Sequence, residues 1–112
     1  MALGPKDVPA LDLLLRCAKE KRTLTYSEFA NVVGGIARGQ GPLLTRIGEA
    51  CAVAERPLLS ILVVSSATGL PSTDANFYKR RGVVGEDAIR AEIDACFRHT
   101  WTSLDRRKVI EG

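Results

Sequence analysis

The stretch from Leu24 to Pro57 is punctuated so densely that few folds can accommodate it. Thr25-Tyr26-Ser27-Glu28 has the form of a capping box. The threonine hydroxyl can accept from the amide three residues on, and the glutamate can reach back to the threonine amide. Leu24, just ahead of the cap, is placed to staple onto Phe29. A short helix is therefore predicted from Tyr26 to about Val33. Gly34-Gly35 ends it, because glycine accepts the left-handed conformation that closes a helix. Ile36-Ala37-Arg38-Gly39-Gln40-Gly41 reads as a glycine-rich turn, and Pro42 as the first residue of another helix, where its missing N–H loses no bond. Leu43, Leu44, Ile47, Ala50, Cys51 and Ala54 repeat at helical spacing. Pro57 stops that helix near Glu55-Arg56, since the residue before a proline is pushed out of helical geometry.

The flanking segments are plainer. A first helix is predicted from Asp7-Val8 to Lys21-Arg22, with Pro9 in its first turn and Leu11, Leu14, Leu15 and Ala18 facing the core. The run from Leu59 to Val64 is short and apolar and reads as a buried strand. Gly69 to Gly85 has no helical period and is predicted as a long loop, with a second short strand at Val83-Val84. A last helix opens at Gly85-Glu86-Asp87, with Ile89, Ile93, Cys96, Phe97 and Trp101 as its apolar stripe and Arg98 and His99 at the negative end of its dipole. The expected fold is mixed α/β and mainly helical: a winged-helix-like helix-turn-helix core with a short β element and a C-terminal helix. At 112 residues, with 46% hydrophobic and 26% charged residues, the chain has the makings of a single domain over residues 1–104. The segment 105–112 is expected to fray.

Several function classes are excluded on the same grounds. The longest apolar stretch, Leu58–Val64, is interrupted by Ser60 and falls far short of the roughly 20 residues that span a bilayer. The opening MALGPKDVPALD has no apolar region of the secretory kind. Three widely spaced cysteines, Cys17, Cys51 and Cys96, fit a reducing cytoplasm better than a disulfide framework. One histidine and no C-x-x-C argue against zinc, so neither metal nor cofactor is expected. No serine has a base near it in sequence, no carboxylate pair stands out, and the glycines of the turn lack the strand and lysine of a phosphate-binding loop. The chain is expected not to be an enzyme.

A nucleic-acid partner fits what is left. The net charge of +3 is mild, but Lys19-Glu20-Lys21-Arg22, Lys79-Arg80-Arg81 and Arg106-Arg107-Lys108 are local basic clusters. The start of the 42–55 helix, with Gly39 and Gly41 before it, offers backbone N–H groups to a phosphate. Arg38, Gln40, Thr45 and Arg46 are the side chains able to reach a duplex from there. Tyr26 is a further phosphate candidate, and Lys79, Arg80 and Arg81 would serve as the wing.

The series Leu24-Thr25-Tyr26-Ser27-Glu28-Phe29-Ala30, Gly35-Ile36-Ala37-Arg38-Gly39-Gln40-Gly41-Pro42-Leu43-Leu44, Arg56-Pro57-Leu58, Leu62-Val63-Val64 and Gly69 resembles the DNA-binding domain of the O6-alkylguanine-DNA alkyltransferases and the alkyltransferase-like proteins. The resemblance covers about residues 22–70. It implies that Tyr26 contacts a backbone phosphate, that Arg38 is a finger entering the duplex when a base is turned out, and that residues 41–54 form a recognition helix in the minor groove. It also implies a departure. Pro57-Leu58-Leu59-Ser60 stands where the family has P-C-H-R. Leu58 has no thiol to accept an alkyl group, Leu59 cannot activate one, and Ser60 replaces the arginine. The expected function is non-catalytic binding of double-stranded DNA through the Arg38 turn and the helix 42–55. The alternative is a protein-interaction module that kept the fold without DNA affinity.

Overall fold

The capping signals are obeyed almost residue by residue. The structure, a computed structural model, describes residues 3–35, 37–71 and 76–112, except for the side chains of Ala37, Arg38 and Asn76. Helix α1 runs from Val8 to Lys19, with the proline in its first turn. It closes when Lys21 N–H donates to Ala18 O (3.1 Å) and Arg22 N–H to Cys17 O (3.0 Å), the paired bonds of a left-handed C-terminal cap. Strand β1 (Leu24–Thr25) leads directly into α2 (Tyr26–Val33). The capping box forms there in both directions, Glu28 N–H donating to Thr25 Oγ1 (3.1 Å) and Thr25 N–H to Glu28 Oε1 (2.8 Å). Gly34, at φ 94°, stops α2.

A 3-10 turn, Ala37–Gln40, feeds α3 (Gly41–Val53). This helix closes as α1 does: Glu55 N–H donates to Ala52 O (3.0 Å) and Arg56 N–H to Cys51 O (2.9 Å). Further on come β2 (Val63–Val64), α4 (Asn76–Arg80), α5 (Glu86–Arg98) and α6 (Ser103–Glu111). The two strands pair in parallel, Leu24 opposite Val63 and Thr25 opposite Val64. The fold is thus mainly helical with a small β element. Among the described residues no helix is long and apolar enough to cross a membrane.

Four expectations need correction. The strand expected over Leu59–Val64 is a strand only at Val63-Val64, and Leu59–Leu62 form a 3-10 turn. Leu59, Ile61 and Leu62 are fully buried, with α1, α3 and α5 packed around the turn; a short apolar run reports burial, and periodicity alone cannot say in which conformation. The 69–85 loop contains α4, and Val83-Val84 are not a strand. The segment 105–112 is not frayed. It lies within α6, whose own capping box joins Thr102 and Asp105 and whose Val109 is fully buried. Finally, the long helix begins at Gly41 and ends at Val53, so Glu55 lies beyond it.

Candidate nucleic-acid interface

The start of α3 is built as a knot between two helices. Gln40 is only 5% exposed, and its side-chain amide donates to the Gly34 carbonyl at 3.1 Å. The carbonyl at the end of α2 is thereby satisfied by the residue that caps α3. A Cβ at Gly35 would approach the same amide nitrogen to 3.2 Å. Gln40, expected among the side chains that reach a duplex, is thus buried and holds the turn from inside. Gly39 and Gly41 are exposed beside it. The side chain of Arg38 lies outside what the structure describes, while its backbone belongs to the turn.

Along α3, Thr45 is half-buried and Arg46 is exposed. The Arg46 guanidinium grips Asp7 with both ends, Nη2 to Oδ1 at 3.0 Å and Nε to Oδ2 at 3.4 Å. Asp7 also accepts from Gly4 N–H (3.2 Å). The Arg46 hydrogen bond holds the Asp7 carboxyl below the usual carboxylate range. One turn on, Glu49 faces Arg80 at 3.6 Å, which brings the Lys79-Arg80-Arg81 cluster of α4 alongside α3. All three basic residues are exposed.

What seats α4 there is a set of residues that sequence reasoning missed. Phe77 is buried, and its ring covers Gly48. A Cβ at that position would meet Phe77 Cε2 at 2.7 Å and Ser60 Oγ at 2.8 Å. Ser60 Oγ and Tyr78 Oη share a hydrogen bond of 2.9 Å. Burial raises the tyrosine pKa, so Tyr78 stays neutral and the bond persists. Tyr26, at the start of α2, is half-buried. The Arg81 guanidinium lies 5.8 Å from the Phe77 ring centroid, within cation–π reach. One clue was available in advance: a glycine inside an apolar helical stripe costs about 1 kcal/mol against alanine, so Gly48 called for a packing reason.

Leu58 is buried, and its N–H donates to Glu92 Oε2 at 2.8 Å. The three thiols are buried and unbonded to one another. Burial pushes Cys51 up to about 12 and raises Cys17 and Cys96 as well, so none of them carries thiolate at neutral pH. His99 follows the end of α5, and its Nε2 lies 3.1 Å from Asp105 Oδ2, with Trp101 edge-on at 4.5 Å. Among the described residues, no group of three His, Cys, Asp or Glu could hold a metal ion. No protein-family model matches the chain, and neither the curated proteins nor the solved structures contain a match to it.

Proposed function

We propose that the protein binds duplex DNA without catalysing a reaction. In this reading α2, the turn before Gly41 and α3 act as a helix-turn-helix, and α4 takes the part of a wing. The observation that carries it is the contact between Arg80 and Glu49, which holds three exposed cations beside the exposed side of α3. Phosphate contacts would come from Tyr26, the amides around Gly39 and Gly41, Arg46, Lys79, Arg80 and Arg81, with Thr45 at the margin. Arg38 is assigned the groove contact on the resemblance to the alkyltransferase-like proteins. Asp7 and Glu49 neutralise Arg46 and Arg80 in the free protein. A phosphate would have to compete with carboxylates for both arginines, and affinity should fall with salt as each neutralised phosphate releases its counterions. The absence of catalysis is supported by Leu58 in the position of the nucleophile and by three buried thiols.

A labelled duplex titrated at two salt concentrations tests the reading. Arg38→Ala, and separately Arg80→Gln with Arg81→Gln, should weaken binding, and each lost phosphate contact should flatten the salt dependence by roughly one unit of slope. Arg106→Ala should bind as wild type does, because that arginine is engaged with Asp12 on another pair of helices. Equal affinity in all variants, or no binding at low salt, would leave the protein-interaction alternative as the better reading. Incubation with alkylguanine DNA should leave the protein mass unchanged.

A further inference from the structure

Two of the basic clusters are not used by the proposed DNA face, and tertiary structure brings them together. Between α1 and α6 runs an open groove of about 420 Å³ lined by Asp12, Leu15, Arg16, Lys19, Glu20 and Arg106. Positions 12, 15, 16 and 19 follow one side of α1 over two turns. Arg106 crosses from α6 and clasps Asp12 with two bonds, Nε to Oδ1 at 2.7 Å and Nη2 to Oδ2 at 3.2 Å. Glu20 is engaged by Arg22 at 2.7 Å. Both carboxylates in the groove are thus already answered. Arg16 and Lys19 are exposed and belong to none of the ion pairs formed among the described residues. What the groove offers is two uncompensated cations one turn apart, over the edge of a largely buried leucine.

We propose that the α1–α6 groove binds an acidic peptide segment of a protein partner, with its carboxylates on Arg16 and Lys19 and one apolar side chain against Leu15. Charge complementarity favours an anionic occupant, since the unanswered charge is positive. The shape and the remaining groups favour peptide over nucleic acid. Leu15 lines the groove beside the two cations and gives a peptide side chain an apolar contact that a phosphate backbone cannot use. The volume suits a few residues of extended chain, and the lining is charged apart from Leu15, so the contact rests mainly on Arg16 and Lys19. This surface is independent of the proposed DNA contact.

The test is an NMR titration of the ¹⁵N-labelled full chain with the acetylated peptide Glu-Glu-Leu-Glu-Glu. The control is the same peptide with glutamine for glutamate. The acidic peptide should cause saturable shifts at residues 12–20 and at Arg106, and the glutamine peptide should cause none. Arg16→Gln with Lys19→Gln, both at exposed positions, should keep the wild-type spectrum elsewhere and lower the affinity about fivefold, as expected for two exposed ion pairs. No saturable shift, equal response to the neutral peptide, or undiminished affinity in the double variant would overturn the proposal. So would a duplex oligonucleotide that shifts these same groove residues more strongly than the peptide does.

Discussion

A methyl group added at Gly48 would sit 2.7 Å and 2.9 Å from two carbons of the Phe77 ring and 2.8 Å from Ser60 Oγ. Alanine is the better helix former by about 1 kcal/mol, yet the overpacking should outweigh that. Gly48→Ala is expected to lose about 1–3 kcal/mol of stability, read from the midpoint of urea unfolding; an unchanged or higher midpoint would mean that α4 does not rest on α3. The opposite sign is expected at the C-terminal caps. Glu55, beyond the end of α3, is exposed and held at φ 58°, as Lys21 is held at φ 56° beyond α1. The left-handed conformation costs a side-chain-bearing residue about 1–2 kcal/mol, partly offset by the greater freedom of glycine in the unfolded chain. Glu55→Gly should therefore gain about 0.5–1 kcal/mol, and thermal unfolding would show it. Cys51-Ala52 and Arg56 repeat the arrangement of Cys17-Ala18 and Arg22 around these two turns, so two helices of this chain end by the same device.

Helix α6 shows how one buried carboxylate can hold an element in place. Asp105 caps its own helix through Thr102 N–H (2.9 Å) and also accepts from Arg56 Nε (2.6 Å) and from His99 (3.1 Å). Burial acts to raise its pKa, but the bonds from Arg56, Thr102 and His99 outweigh that and hold the carboxyl well below the usual range. With the folded pKa depressed, the contribution to stability is full above the unfolded value near 3.8 and is lost as pH falls below it. Asp105→Asn should cost about 2 kcal/mol or more at neutral pH, because Arg56 keeps its charge without its partner. The variant should also have a flatter stability profile than wild type as pH falls below about 4. Chemical denaturation at several acidic pH values would check both. Parallel profiles would mean that the ion pair is not what anchors α6.

At the scale of the molecule, the two ends of the chain close on each other. Leu3 N–H donates to Ile110 O at 3.1 Å, and Arg106 reaches Asp12. Val109 is fully buried, and α6 packs on α3. Ending the chain after Thr102 should remove this brace and destabilise the whole fold, not just its last turn. Loss of Val109 alone is worth about 1.5–3 kcal/mol of buried side chain. Trp101 reports on the core directly, since it is buried and its indole donates to Cys96 O at 2.9 Å. Its fluorescence and the helical circular dichroism should melt together in the full chain, at a temperature well above that of the shortened one. An unchanged melting temperature after truncation would show that α6 is dispensable.

The elements that were legible in the sequence are those whose bonds run between near neighbours. The capping box at Thr25 and Glu28, the glycine stop at Gly34 and the proline in the first turn of α1 all span four residues or fewer. Such bonds depend on residue type and spacing alone. Tertiary structure decided what depends on distant partners. Leu59–Leu62 became a 3-10 turn because three helices surround it. Gln40 turned inward to a carbonyl six residues back, and Arg46 found Asp7 across 39 residues. Segment 105–112 became a packed helix because Arg56, Asp12 and Leu3 lie where it docks. Of the candidate site, the cations and the turn were legible, but their meeting was not. Phe77 over Gly48 and Arg80 against Glu49 bring α4 to α3, and no local pattern encodes which surfaces will touch once the apolar stripes have been removed from water.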